Sequence, residues 1–137
     1  IMSVDSICVC GSLKLYKNCC KPFHDNTKTI LVTEELLRAR YSAFILRFPD
    51  FIQSTMAEPS SEHFDSEFIL NSPIRWENLK INSVEKGGED DDEGIIDFTI
   101  TYREAEFSSK QAKMREKSLF KRIDGNWFYV DALSLKK

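Results

Sequence analysis

The segment best equipped for chemistry is CVCGSLKLYKNCC, which holds all four cysteines of the 137-residue chain. Four thiolates at the corners of a tetrahedron make a closed zinc site, with no coordination position left for water. Disulfides are the alternative, but a bond between the neighbours Cys19 and Cys20 would close a strained ring, and no export signal is visible. The segment therefore predicts a structural Zn²⁺ bound by Cys8, Cys10, Cys19 and Cys20.

The residues between the cysteines suit such a zinc knuckle. Gly11 follows the second cysteine, where a turn requires a positive φ and backbone N–H groups can point at sulfur. Ser12 is a suitable cap for a short helical turn. A zinc ion with four thiolates is net negative, and three nearby lysines, Lys14, Lys17 and Lys21, would partly neutralise it. A purely solubilising role is the alternative for these lysines.

The segment resembles the SEC-C zinc motif, whose pattern is CxCGSGxxYKxCC. The matching residues are Cys8, Cys10, Gly11, Ser12, Tyr16, Lys17, Cys19 and Cys20. Leu13 replaces the usual second glycine and Val9 the usual proline, and neither is a metal ligand. In the translocation ATPase SecA a similar tail contacts partner proteins. The resemblance thus implies a protein partner bound through the knuckle.

Helical patterns follow the knuckle. Residues 21–32 read as a linker, and Thr33 is a good N-cap for a helix in which apolar residues recur at helical spacing up to Phe48. Pro49 is suited to the first turn of a second helix. Ser61 or Asp65 can open a third short helical piece that ends near Asn71.

Strand patterns fill the second half. Residues 73–86, 94–107, 113–123 and 126–135 predict four antiparallel strands. Asp124-Gly125 is a strong hairpin signal between the last two. The acidic loop at residues 87–94 lacks the ligand spacing of a calcium site and predicts a solvated turn. Helices grouped before strands indicate an α+β fold.

Three longer stretches resemble the YchJ-type family of uncharacterised bacterial proteins: LLRARYSAF, SPIRWENLKI and REKSLFKRIDGNWFYVDA. Arg115 stands where that family usually has a histidine. The resemblance implies a SEC-C zinc knuckle over residues 1–24. It further implies a nuclear transport factor 2-like cone over residues 25–137, with helices packed in a curved four-stranded antiparallel sheet.

Strand alternation places Glu116 and Ser118 on one face of the third strand, and Tyr129 and Asp131 on one face of the fourth. If these faces are concave, the cone holds two carboxylates among aromatic walls, a composition typical of a small-molecule pocket. The candidate pocket residues are Arg40, Tyr41, Trp76, Glu116, Ser118, Tyr129 and Asp131. Polar residues that satisfy one another or face solvent are the alternative.

Two classes of function follow. The first is a protein-interaction module whose cone is a scaffold or holds a small ligand. The second is an isomerase- or dehydratase-type enzyme, for which Glu116 and Asp131 are the candidate bases. His24 is expected on the surface beside the knuckle, because four thiolates already complete a zinc shell.

Composition and charge limit the partners and the compartment that we expect for the protein. The net charge of −3 does not favour nucleic acid. The first 28 residues carry four lysines and two acidic residues, whereas the rest carries 15 basic and 20 acidic residues, so the knuckle is basic and the body acidic. No apolar run approaches the roughly 18 residues of a membrane span. We expect a cytoplasmic protein, with a homodimer through the open sheet face if aromatic residues are exposed there.

Overall fold

The computed structural model describes Ser3, residues 5–105 and residues 110–137. Its helices are α1 (Lys21–His24), α2 (Thr33–Leu46), α3 (Pro49–Ser54) and α4 (Ser66–Asn71), with 3₁₀ turns at Tyr16–Asn18 and Ser60–His63. The strands are β1 (Arg75–Lys86), β2 (Glu93–Arg103), β3 (Ala112–Ile123) and β4 (Asn126–Lys136). The predicted α+β order, helices first and strands second, is confirmed. Within the described residues, no helix is both long and apolar enough to cross a membrane.

The four strands form one antiparallel sheet in the order β1-β2-β3-β4. Helix α2 contacts both edge strands, β1 and β4, as well as the inner strand β2. One helix can reach both edges of a sheet only if the sheet curves around it, so the strands form the predicted cone. The most deeply buried large side chains, Leu36, Ile52, Ile96 and Phe120, come from α2, α3, β2 and β3.

The hairpin between β3 and β4 is built as its sequence predicts. Asp124 and Gly125 have φ values of 51° and 85°. Two successive positive φ values are typical of a type I′ turn, whose twist matches that of the flanking strands. The short-range turn signal therefore sets the start of the β3–β4 register.

Further along this pair, β4 carries two irregularities. Phe120 pairs with Tyr129 and Leu119 pairs with Asp131, so Val130 is an extra residue on β4. A second shift follows, because Ser118 pairs with Ala132 and Lys117 with Ser134. A bulge of one residue moves the following side chains to the opposite face of the sheet. Simple alternation along β4 therefore fails after Tyr129.

The prediction that Thr33 is the N-cap of α2 is wrong. Thr33 is the first helical residue, and Val32 precedes the helix with extended backbone. The side chain of Glu35 caps the helix instead, because its Oε1 accepts from the backbone N–H of Leu31 and Val32 at 2.9 and 3.3 Å. Thr33 donates its backbone N–H to the carbonyl oxygen of Gly87 at 2.9 Å, which buries its side chain against the β1–β2 loop.

The prediction of a linker over residues 21–32 is also wrong. Its first four residues form α1, and Phe23 is buried in the core. Near its end, the indole N–H of Trp127 donates to the carbonyl oxygen of Leu31 at 3.0 Å. These contacts tie the segment to the sheet, which sequence composition could not indicate because the partners are distant in the chain.

Substitutions at Thr33 and Gly87 test this packing. Thr33 Oγ1 is buried and makes no hydrogen bond within the described part of the chain. Thr33→Val should raise the free energy of unfolding by about 1 kcal/mol, since it removes an unpaired buried hydroxyl and keeps the side-chain shape. Urea denaturation measures the change.

Gly87→Ala should act in the opposite direction. Gly87 has a φ of +75°, and an added Cβ would clash with the Thr33 side chain. We expect a loss of about 2 kcal/mol or more in the same urea experiment. Equal stability of this variant and the parent protein would contradict the described contact between the loop and α2.

Candidate metal centre and cone cavity

The four cysteine sulfurs form one compact cluster. Their Sγ atoms all lie within 4.8 Å of one another, and all four cysteines are free thiols. The Sγ atom of Cys19 lies 3.5 Å from that of Cys10 and 3.9 Å from that of Cys20. A tetrahedral zinc with bonds of about 2.3 Å requires sulfurs about 3.8 Å apart. The donor set is thus compatible with a metal such as zinc.

Two short turns bring the cysteine pairs together. The first cysteines lie in a small loop that is closed by an antiparallel bridge between Ile7 and Leu15 and by a 2.8 Å hydrogen bond from the Cys8 N–H to the Lys14 carbonyl oxygen. Gly11, within this loop, has a φ of +84°. The 3₁₀ turn that begins at Tyr16 then delivers the second pair, Cys19 and Cys20, to the same point. No other group of three or more metal-ligating side chains occurs among the described residues.

The cluster is polarised by its neighbours. Ser12 Oγ lies 3.1 Å from the Sγ of Cys19 and can donate to a thiolate there. Hydrogen bonds from Cys20 and Cys8 lower the pKa of Cys10, and the hydrogen bond with Cys10 raises the pKa of Cys8 to about 11. Cys10 is therefore the thiol of this cluster that loses its proton most readily.

One positive charge that contacts the knuckle was missed by sequence reasoning. Arg38, on α2, donates from Nη1 to the carbonyl oxygen of Cys10 at 2.7 Å. Two of the predicted lysines form surface ion pairs instead, Lys17 with Asp5 at 3.0 Å and Lys21 with Asp25 at 2.7 Å. No spacing rule links Arg38 to a cysteine 28 residues earlier, so only the fold reveals the contact.

The expectation that His24 is a surface residue is wrong. Its Nε2 lies 2.8 Å from the carbonyl oxygen of Ala39, and its Nδ1 lies 2.8 Å from the hydroxyl of Tyr16. A carbonyl oxygen can only accept, so Nε2 carries the proton and Nδ1 accepts from Tyr16. Burial lowers the pKa of His24, which favours this neutral form. His24 thus joins the knuckle to α2 without being a metal ligand.

A separate cavity of about 270 Å³ opens inside the cone. Six of the seven predicted pocket residues line it: Arg40, Tyr41, Trp76, Glu116, Ser118 and Tyr129. Its apolar walls include Phe98 and Phe120. Helix α2 and the inward faces of all four strands therefore contribute to one site.

Polar groups in the cavity are organised around Tyr129. The guanidinium of Arg40 lies over the Tyr129 ring at 4.8 Å, and the Tyr129 hydroxyl donates to Glu116 Oε2 at 3.2 Å. Ser118 Oγ donates to the same oxygen. Burial raises the pKa of Tyr129 and lowers that of Arg40 to about 10, so the phenol is neutral and the guanidinium charged near neutral pH.

Asp131 does not belong to this site. It pairs with Leu119, is exposed, and accepts from the backbone N–H of Ala132 at 2.8 Å. The bulge at Val130 puts it on the outer face of the sheet. The predicted pair of carboxylates is therefore wrong, and the enzyme hypothesis loses one of its two candidate bases.

Arg115 also lies away from the cavity. Its Nε and Nη2 donate to the two carboxylate oxygens of Asp97 at 2.9 and 2.8 Å. This bidentate pair lowers the pKa of Asp97 to about 2. Position 115 thus stabilises the outside of the sheet in this chain.

The chain's relatives agree with this architecture. The family model for YchJ, middle NTF2-like domain, where NTF2 is nuclear transport factor 2, matches residues 32–132. The chain belongs to the YchJ family. The resemblance and the NTF2-like cone predicted from the sequence are both confirmed.

Individual relatives extend the match beyond that domain. A UPF0225 protein of Photorhabdus laumondii is 31% identical over 93% of this chain and 80% of its own length. Another, from Deinococcus radiodurans, is 32% identical over 91% of this chain and 87% of its own.

Two solved structures share the fold. The solution structure of a SEC-C motif containing protein from Rhodopseudomonas palustris has 25% identity and a TM-score of 0.82, and the match covers 94% of this chain and 98% of that one. The crystal structure of a SEC-C motif containing protein from Psychrobacter arcticus has 22% identity and a TM-score of 0.79, with coverage of 98% and 85%.

Removal of one sulfur tests the metal centre. Purified protein should contain one zinc per chain by elemental analysis, and Cys10→Ser should lose it, because three ligands leave the shell incomplete. Ser12→Ala keeps every ligand and removes only the hydrogen bond to Cys19, so it should retain zinc with an affinity about tenfold lower. Equal zinc content in Cys10→Ser and the parent protein would refute the assignment.

Acidification tests the environment of His24. Because burial lowers its pKa, the imidazole should titrate below about 6.5 in an NMR titration. The unfolded chain then binds more protons, so the His24 contribution to the free energy of unfolding is present above about pH 6.5 and is lost as the pH falls. A midpoint at or above the ordinary value would contradict the half-buried, neutral state.

Proposed function

We propose that this protein is a zinc-binding protein-interaction module, with Zn²⁺ held by Cys8, Cys10, Cys19 and Cys20. Four thiolates complete the shell of the ion, so a zinc here orders the knuckle and supplies no open Lewis-acid position. Such a centre contributes a rigid surface. We place the protein in the cytoplasm, where reducing conditions keep thiols available for a metal.

The observation that carries the proposal is the exposure of the Leu13 side chain. Its side chain is 82% exposed, and its backbone has a φ of +70°. A leucine in the left-handed region costs roughly 1 kcal/mol or more, and an exposed leucine contributes no burial in return. The fold itself gains nothing from this residue, whereas a partner that covers it would gain apolar contact.

Charge favours an acidic protein surface as that partner. Lys14 lies next to Leu13 and is exposed, and Lys17 and Lys21 follow on the same basic segment. The ion pairs of Lys17 and Lys21 lie at the surface, where each contributes only about 0–1 kcal/mol and can exchange partners. RNA is a poorer match because Tyr16 and Phe23 of the knuckle are both buried and cannot stack on a base.

Point variants test the proposal better than truncation, because removal of the first 32 residues would also remove Phe23 from the core. We propose chemical crosslinking in cells, followed by mass spectrometry of the captured partners. Leu13→Asp should abolish capture of knuckle partners and keep the zinc content unchanged. Leu133→Asp is the matched control, since Leu133 is an exposed leucine on β4.

Two outcomes would overturn the proposal. The first is an unchanged set of partners for zinc-loaded Leu13→Asp. The second is capture that disappears after nuclease treatment, which would point to RNA. A homodimer stays a prediction, and sedimentation of the purified chain would test it.

A further inference from the structure

Arg40 is a buried cation whose hydrogen-bonding capacity is only partly used. It is 7% exposed, and its Nη1 donates to the Ile52 carbonyl oxygen at 2.8 Å and to Thr55 Oγ1 at 2.7 Å. Within the described part of the chain, its Nε and Nη2 donate to no other group, and Arg40 forms no ion pair. A mostly buried guanidinium with two free nitrogens is well suited to a carboxylate, which it can hold in bidentate fashion.

Glu116 presents the complementary group on the same cavity. It is 8% exposed, and both donors that reach it, the hydroxyls of Ser118 and Tyr129, use Oε2. Oε1 therefore has no partner among the described residues. Glu116 and Arg40 form no ion pair with each other and both line the cavity, so one ligand in the cavity can contact both of them.

Thr55 and Ala57 hold Arg40 and Tyr129 in place. Thr55 accepts from Arg40, and its carbonyl oxygen accepts from the Tyr129 N–H at 2.8 Å. The Ala57 N–H donates to the Tyr129 carbonyl oxygen at 2.8 Å. The backbone next to the bulge is thereby bonded to the residues that follow α3, and the cation is held over the Tyr129 ring before any ligand binds.

The remaining walls are apolar and aromatic. Trp76 packs against Tyr41 and Phe44 at ring distances of 6.4 and 5.9 Å, and all three line the cavity. The volume of about 270 Å³ lies just below the range of roughly 300–1,000 Å³ for drug-sized ligands, so the occupant must be small.

We propose that the cone cavity binds a small carboxylate with an apolar body and a hydrogen-bond donor, the class that includes the apolar amino acids. The carboxylate pairs with Arg40, the donor reaches Glu116 Oε1, and the body contacts the aromatic wall. This site is independent of the zinc knuckle and of its partner.

Other ligand classes fit less well. A purely apolar molecule would displace water from the free donors of Arg40 and replace none of its hydrogen bonds, which is costly for a charged group. A ligand with an amine and no carboxylate would bring a second positive charge into the weakly polar cavity that already holds Arg40, and the two charges would repel each other. Only a ligand that carries both groups satisfies both ends of the cavity.

Three probes with one phenyl body separate these classes: L-phenylalanine, phenylacetate and phenethylamine. Binding to the full-length protein is followed by calorimetry and by NMR shifts of the cavity residues. L-Phenylalanine should bind best, phenylacetate about tenfold more weakly, and phenethylamine not detectably. Absence of binding by both carboxylates at about 10 mM would overturn the proposal, and so would equal binding of phenethylamine and phenylacetate.

Variants then test which residue binds each end of the ligand. Glu116→Gln keeps the shape and should weaken L-phenylalanine about tenfold, while phenylacetate binds as before or better. Arg40→Met should abolish binding of both carboxylates. Asp131→Asn is the control for Glu116→Gln, because it neutralises a carboxylate on the outer face, and it should leave both affinities unchanged.

The assignment stays testable if Arg40→Met fails to fold, since Glu116→Gln distinguishes the two probes without touching Arg40. A Glu116→Gln protein that binds both carboxylates as the parent protein does would overturn the role of Glu116. Equal losses in Asp131→Asn and Glu116→Gln would show a general charge effect and overturn it as well.

Discussion

The burial of helix α2 between the cysteine cluster and the sheet is the constraint on which the other features depend. At 3.6 residues per turn, Arg38, Ala39 and Ser42 reach the knuckle, whereas Leu37, Arg40 and Tyr41 reach the cavity. One helix therefore supplies contacts to both sites. Because α2 is enclosed on most sides, it has no broad face toward solvent. The polar side chains of Arg38, Arg40 and Ser42 therefore contact the knuckle or the cavity.

The knuckle is held by packing as well as by its sulfurs. Tyr16 and Phe23 belong to the same buried cluster as Leu36 and Ile52, so the knuckle adds to the core of the cone. A loop of this length is too short to bury a hydrophobic core of its own, and small folds of this kind are usually stabilised by a bound metal. Here the cysteine cluster and the contacts of His24 involve the same few residues, which couples the order of the knuckle to that of α2.

In the cavity, Arg40 and Glu116 form no ion pair with each other, and Tyr129 contacts both of them. Tyr129 carries Arg40 over its ring and donates its hydroxyl to Glu116. Direct pairing of the two charges would have closed the site, because a buried ion pair with its hydrogen bonds satisfied leaves nothing for a ligand. The phenol between them keeps both groups in place with one end of each free.

Local signals in the sequence determined the four-cysteine cluster, the order of helices before strands, the Asp124-Gly125 turn and the shared face of Glu116 and Ser118. Each depends on neighbouring residues or on a period of two, which the chain reveals directly.

Tertiary structure alone decided the positions of Asp131, Thr33 and His24. The bulge at Val130 places Asp131 on the opposite face of the sheet. The backbone hydrogen bond to Gly87 holds Thr33 where its side chain is buried. The Ala39 carbonyl oxygen holds His24 against α2. Each of these outcomes is fixed by a partner far along the chain, and long-range pairing leaves no mark in local spacing.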